Sequence, residues 1–578
     1  MDKEELTENS PKMTQLLSPT THKGGFRTMP FIILNESFEK VASYGLMPNM
    51  IFYLMKDYNL NAAAGTTILL LWSATSNALA IVGAFLSDSY LGRFRVIALG
   101  SFSSLLGMIM LCLTAMVPET KPSPSCQPYN YGSCKSATSS QLALLFSSFL
   151  LISIGAGCIR PCSIAFGADQ LIKKNNPNNE GILQSFFNWF YASTGVSTIL
   201  ALTVIVYIQD HLGWKVGFAI PAFLMLIASL LFLVGSPLYV KVKASKSLFT
   251  GFFQVLVLAF RNRNLPFPPN NNSNGFYHQA PDSEIVEPTK ALRFLNKACI
   301  NRNRVTFVRA DDGSSSKPIS KLCTVEQVES LKSLLRVIPI WSSCILVQVI
   351  INQSSFTAIQ ASTMDTHITS HFQIPAGSFA VFLVLTLTIW VVMYDRVIVP
   401  LMAKYMRRPH GLGQNQRMGI GILVSVSAMV VSAGVERVRR RVVNMSAMWL
   451  VPQQCLLGLA EAINAVAQVE FYYSHFSKNM ASLAMGIFTL GMAAGNLVGS
   501  LIVKIVDEIT KRGGKESWVS SNPNMGHYDY YYWLLAILCS IDFLYFLFCC
   551  WVYGLSKEEE SKLEGGAETC TIAETSTV

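Results

Sequence analysis

The chain has 578 residues, of which 51% are hydrophobic and only 14% charged, and its mean hydropathy is +0.37. That is too little polar surface to solvate one large globule, which argues against a water-soluble enzyme and makes lipid the natural solvent. Lys and Arg number 45 against 35 Asp and Glu, a net charge of +10, but the basic residues fall mostly in loops between apolar runs, where they report membrane topology rather than a nucleic-acid partner.

Residues 1–28 are polar and lack an apolar core of signal-peptide length, so they read as a cytosolic tail, with the first apolar run acting as the insertion signal. Twelve runs then have the length and apolarity to cross a hydrocarbon layer about 30 Å thick. They cover residues 29–55, 66–87, 96–117, 141–164, 187–208, 216–234, 334–357, 376–400, 419–435, 448–473, 483–505 and 530–552. The expected fold is an all-α membrane protein of two six-helix bundles, 29–237 and 332–554, joined by a linker at 238–331 and followed by a disordered cytosolic tail at 555–578.

The polar stretch 241–330 carries 13 Lys and Arg and is therefore expected in the cytosol, which places both termini there too. One loop conflicts with this topology: Arg437, Arg439, Arg440 and Arg441, between runs nine and ten, would face outside. Within the linker, 247–260 is apolar but too short to span, so a lateral amphipathic helix is expected. Cys126 and Cys134 flank a turn-rich segment of an outside loop and are candidates for a disulfide. The other cysteines lack zinc spacing, and no metal site or cofactor is indicated.

Ionisable side chains inside a span cost a few kcal/mol, so each is a functional hypothesis. Glu36, Glu39 and Lys40 stand at i, i+3 and i+4 of the first span, on one helical face. Two acids against one base favour proton loading over a static charge lock. In span four, Arg160 precedes Pro161, whose kink can present the guanidinium to a cavity. Glu461 lies deep in span ten, and an Arg160–Glu461 pair between the bundles would satisfy both charges, either as a gate or as a permanent bridge. No His lies within an expected span, which leaves carboxylates as the proton carriers. The loop after span two brings together Gly83, Asp88, Gly92, Arg93 and Arg95, a combination suited to a conformational latch.

That loop resembles the conserved loop motif of the major facilitator superfamily. The string Glu36-Ser-Phe-Glu39-Lys40 resembles the E-x-x-E-R/K motif of the plant nitrate and peptide transporter family, the proton-dependent oligopeptide branch of that superfamily. Phe166-Gly-Ala-Asp-Gln170, Asn188-Trp-Phe-Tyr191, Arg293-Phe-Leu-Asn-Lys297, Pro339-Ile-Trp341, Tyr394-Asp-Arg396 and Gln416-Arg-Met-Gly-Ile-Gly421 extend the likeness over nearly the whole chain. The resemblance implies proton-coupled uptake at the plasma membrane, with Glu36, Glu39 and Lys40 in coupling and Arg160 with Glu461 as the inter-bundle pair.

Two positions depart from a dual-affinity nitrate transporter of that family: its nitrate-binding His appears here as Ile351, and its phosphorylated Thr as Val96. Nitrate, the leading substrate expectation, would then rest on Arg160 or Lys40 and on polar groups such as Tyr191, Asn352 and Gln353, with Trp341 and Ile351 as apolar walls. Small peptides and organic-acid hormones such as gibberellin, abscisic acid or a jasmonate conjugate are the alternatives within the family. A nutrient sensor with little transport is the alternative of another class. The expected partners are protons, a small solute and lipid, with the chain as a monomer or weak homodimer.

Overall fold

A computed structural model describes residues 24–122, 136–171, 179–242, 248–265, 267, 277–279, 288–289, 291–300, 323–369, 372–406, 411–476 and 481–575, with side-chain positions to 552. Cys126 and Cys134 lie outside these residues.

Among the described residues ten helices are long and apolar enough to cross a membrane, and an eleventh span is built from two pieces, Val325–Ser343 and Ile345–Ala361, bent by 43°. The twelfth is Met29–Lys56, which a purely apolar criterion passes over because Glu36, Glu39 and Lys40 lie in it. In chain order the spans are Met29–Lys56, Ala62–Leu91, Arg93–Met116, Ser139–Leu171, Gly181–His211, Gly213–Leu238, the bent pair, Ala376–Tyr405, Gln414–Arg439, Ala447–His475, Leu483–Thr510 and Tyr528–Val552. Span one packs on spans five and six, and span three on four and six. In the second half span nine packs on ten and twelve, and span eight on ten. The two bundles meet through spans two and eleven, five and eight, and one and seven. An even number of crossings places the start of span one and the end of span twelve on one face, called here the termini face.

Spans two, five and eight each contain a widened π-helical turn, at Ser87–Leu91, Ala201–Ile205 and Tyr394–Ile398. Span seven begins well before the apolar run starts, because Thr324 and Gln327 form a reciprocal capping box. Lys332, in its second turn, is fully buried and held by Glu329 at 2.7 Å and by the Thr289 carbonyl at 2.7 Å, which ties the linker to the start of the second bundle. The last helix continues to Thr575 instead of ending in a disordered tail. Glu558, Glu559, Glu560 and Lys562 are strong helix formers. Two short strands, His367–Thr369 and Phe372–Gln373, add a hairpin between spans seven and eight.

The lateral helix forms at Leu248–Arg261. Phe252, Val255 and Ala259 are buried, while Phe253, Leu256, Val257 and Phe260 are exposed, so it turns one apolar face inward and another outward.

The conflicting arginine loop is also accounted for. Arg439 is buried in a bidentate pair with Glu436, Nε to Oε2 at 2.7 Å and Nη2 to Oε1 at 2.8 Å, and it donates further to Thr363, Asn524 and the Pro523 carbonyl. Gln360 donates to Glu436 at 2.6 Å and accepts from the Tyr532 hydroxyl at 2.9 Å. Arg440 in turn reaches Asp529 at 3.5 Å. Two of the four positive charges are thus neutralised in place; the topology rule counts Lys and Arg rather than net charge, but earlier helices usually set the orientation and a late exception is tolerated.

Candidate transport site

The first span places Glu36, Glu39, Lys40, Ser43 and Tyr44 on a face turned into the first bundle. Glu36 and Glu39 are buried, Glu39 with none of its surface exposed. Lys40 Nζ stands 3.9 Å from Glu36 Oε1. Ser43 donates to Glu39 Oε1 at 2.6 Å, and Arg160 Nη2 donates to the same oxygen at 3.4 Å. The ring of Tyr44 has Lys40 Nζ and the Arg160 guanidinium each 5.0 Å from its centre, two cation–π contacts. Among the described residues Glu36 Oε2, Glu39 Oε2 and Arg160 Nε have no hydrogen-bond partner although buried. Each acid therefore has one oxygen committed and one open.

The inter-bundle pair expected from the sequence is not formed in this conformation. Arg160 turns back to Glu39 of its own bundle, and among the described residues no basic side chain lies within ion-pair distance of Glu461. Both residues instead line one cavity of about 310 Å³ between the bundles. A guanidinium prefers a carboxylate already within reach on an adjacent helix to one across a hydrated cleft, because the shorter separation has less intervening water to screen it.

The cavity is walled by both halves. Tyr44, Trp72, Asn77 and Arg160 contribute from the first, and Gln348, Asn352, Gln454 and Glu461 from the second. Of the expected wall residues, Ile351 and Asn352 line it. Gln353 does not: it is buried behind, donating to the Val349 carbonyl at 2.7 Å and accepting from Tyr531 at 3.0 Å. Trp341 donates to the Ile487 carbonyl at 3.0 Å and packs by Gly491, outside the cavity lining. Tyr191 is 63% exposed and also stands outside the lining.

On the face opposite the termini the bundles are in contact: the Ala62 amide donates to Ser521 Oγ at 2.9 Å, and Gly377 at the head of span eight packs on Pro48 and Asn49. Closer to the midplane Asn496 donates to Ser73 at 3.2 Å. This is the geometry of a carrier closed at the face away from its termini.

The sequence between residues 94 and 519 matches the family model described as the POT family. The chain belongs to the POT family. Two relatives from Arabidopsis thaliana, NRT1/PTR FAMILY 1.2 and NRT1/PTR FAMILY 1.1, are each 52% identical to it, over 95% of this chain and 93% and 95% of theirs. The fold is similar to that of an auto-inhibited POT family peptide transporter, with a TM-score of 0.66 and 19% identity over 91% of this chain and 96% of that one. The POT family is one of membrane transporters of small molecules, and the two-bundle architecture agrees with that membership.

In this POT-family chain the loop after span two is knit within the first bundle. Arg93 reaches Asp88 at 3.6 Å and Asp169, from the Phe166–Gln170 motif of span four, at 2.6 Å. Gly92 has φ +78°, a left-handed conformation that starts span three, and a side chain on Gly83 would strike the Gly157 carbonyl, so both glycines are required by the backbone. Arg95 points away and is exposed. The sequence reading passed over Ser43, Tyr44 and Gln454, although Ser43 lies one turn after Glu39 and Gln454 two turns before Glu461, spacings that a helical-face projection picks up.

Proposed function

We propose that the protein is a proton-coupled symporter that takes up nitrate by alternating access, at the plasma membrane with both termini cytosolic and with no cofactor beyond the proton gradient. The supporting observation is the shared oxygen of Glu39. It holds both Ser43 and Arg160 while its second oxygen stays open, so adding a proton removes the charge that restrains the guanidinium. The freed Arg160, whose Nε is already without a partner, is then the cationic group that an anion in the cavity meets.

Nitrate influx against a negative interior costs about 2.3 kcal/mol per 100 mV for each charge. One proton cancels that charge, and two or more let the membrane potential drive uptake. Glu36, Glu39 and Glu461 supply three sites. Currents in oocytes expressing the protein are expected to be inward and positive, to grow as the bath is acidified, and to be lost in Glu39→Gln. Nitrate currents indifferent to external acid would refute the reading.

A second reading follows from Glu461. Among the described residues its carboxylate has no cation within ion-pair distance, and the cavity exceeds what nitrate fills, so a solute with separated charges, such as a dipeptide, would find Arg160 at one wall and Glu461 at the other. Comparing nitrate, a dipeptide and gibberellin in the same oocytes separates the two. Glu461→Gln leaves nitrate affinity nearly intact if nitrate is the substrate and abolishes dipeptide uptake if the dipeptide is.

A further inference from the structure

The outward face of the lateral helix Leu248–Arg261 is apolar where a soluble helix would be polar. Phe253 is 69% and Phe260 70% exposed, and Leu256 and Val257 are exposed between them. The i, i+3, i+4, i+7 spacing puts all four on one face.

At the end of the helix this strip meets a group of cations. The Arg263 guanidinium stands over the exposed Phe260 ring, 4.8 Å from its centre. Arg293 and Lys297 belong to the short helix Arg293–Ala298 packed alongside, and stand over the Phe267 ring at 4.5 and 4.9 Å. Lys297 donates to the Arg263 carbonyl, and Asn262 donates to the Lys297 carbonyl at 3.0 Å, so the two segments are tied together. Arg261 ends the helix two residues before Arg263. Arg261, Arg263 and Arg293 are exposed and Lys297 is half-buried. Among the described residues no carboxylate lies within ion-pair distance of any of the four. Like charges gathered without an acid repel one another, and an anion from outside the chain relieves them.

One class of molecule answers both halves of the patch. An anionic phospholipid brings a phosphate for the guanidinium groups and acyl chains for the phenyl rings, whereas an acidic soluble segment would leave the rings in water. The helix is also held at the membrane. Nine residues separate it from the end of span six at Leu238, and Gly251 faces the Gln327 side chain in the first turn of span seven.

We propose that the lateral helix and the basic group at its end form a binding site for an anionic phospholipid of the leaflet at the termini face, with the phosphate among Arg263, Arg293 and Lys297 and acyl chain along Phe253 to Phe260. On the orientation proposed above that leaflet is the cytosolic one, where anionic lipid concentrates. Binding involves no transport, so it can be tested apart from nitrate or dipeptide uptake.

The full chain in detergent is stripped of lipid, given equal amounts of phosphatidylserine and phosphatidylcholine, and weighed by native mass spectrometry. Wild type is expected to hold one phosphatidylserine in preference to phosphatidylcholine. Each cation at an anionic lipid surface strengthens attachment about fivefold, so Arg263→Gln with Arg293→Gln weakens phosphatidylserine about 25-fold and leaves phosphatidylcholine unchanged. Phe253→Ser with Phe260→Ser keeps all four cations and weakens both lipids. Equal phosphatidylserine affinity in wild type and the monodisperse charge variant overturns the proposal. Displacement of the lipid by equimolar hexaglutamate overturns it too, since the patch would then belong to an acidic protein segment. Should the charge variant not fold, the serine variant decides, and an unchanged phosphatidylserine affinity there is equally fatal.

Discussion

Arg160 donates to Glu39 at 3.4 Å within the first bundle, on the same carboxylate oxygen that takes the Ser43 hydroxyl at 2.6 Å. Coupling therefore centres on an oxygen with two donors. Glu39→Gln is expected to lower acid-driven accumulation at least tenfold while sparing folding, because the amide keeps a carbonyl for both donors. Ser43→Ala removes one hydrogen bond to a charged group, worth about 1.5–3 kcal/mol, and is expected to change how uptake depends on external pH. The check is tracer uptake across a series of external pH values, where Ser43→Ala should shift the midpoint. A midpoint that stays put would show that the hydroxyl has no part in coupling.

Glu461 has no cation to lose among the described residues, so its neutralisation should not destabilise the fold. Glu461→Gln breaks no ion pair of the described residues and is expected to leave the melting temperature unchanged. Arg160→Ala, by contrast, strands the fully buried Glu39 and is expected to lower it clearly. Equal losses in the two variants would indicate a standing Arg160–Glu461 bridge in the resting protein.

The Glu436–Arg439 pair is the opposite kind of buried charge, with its hydrogen-bonding groups met by Gln360, Thr363, Asn524 and Pro523. Removing one member leaves the other uncompensated, so Arg439→Ala is expected to cost about 3–5 kcal/mol. Arg439→Lys should recover little, since an ammonium cannot reproduce the two-pronged contact. Replacing both residues with apolar ones of similar volume should recover much of the loss. Thermal denaturation of wild type, each single apolar variant at Glu436 and Arg439, and the double variant gives the coupling directly, and simple additivity would contradict it.

Gly83 allows spans two and four to touch backbone to backbone at Gly157. Gly83→Ala forces that contact apart and is expected to cost about 1–3 kcal/mol, seen as reduced yield and a lower melting temperature. Gly434→Ala, where an added methyl meets open space, is the matched control and should be silent.

Much of this architecture was legible from charge and apolarity alone. Met29 to Lys56 forms as expected, and the cost of placing a charge in lipid singled out Glu36, Glu39, Lys40, Arg160 and Glu461, of which Arg160 and Glu461 line the cavity and the others stand behind it. What stayed hidden was partnership. Arg160 has two possible acids, and nothing in its spacing says that Glu39 is nearer than Glu461, since that depends on how the bundles are tilted. Asp542 in span twelve, buried with one oxygen unpartnered among the described residues, was passed over although the same cost of a charge in lipid that singles out Glu461 applies to it. Gln353 and Asn352 are neighbours in sequence, yet the break between Ile351 and Ser354 sends one into the cavity and the other behind it.

The widened turns at Ser87–Leu91, Ala201–Ile205 and Tyr394–Ile398 fall in spans two, five and eight, which recur every third crossing. Those same helices form the seam, two against eleven and five against eight. A π turn accommodates one extra residue and can be absorbed or passed along the helix at low cost. The slack needed to shear one bundle past the other is thus stored in the rods that slide: at Ser87–Leu91 and Ala201–Ile205 without a proline, and in span eight with Pro400 two residues after the turn.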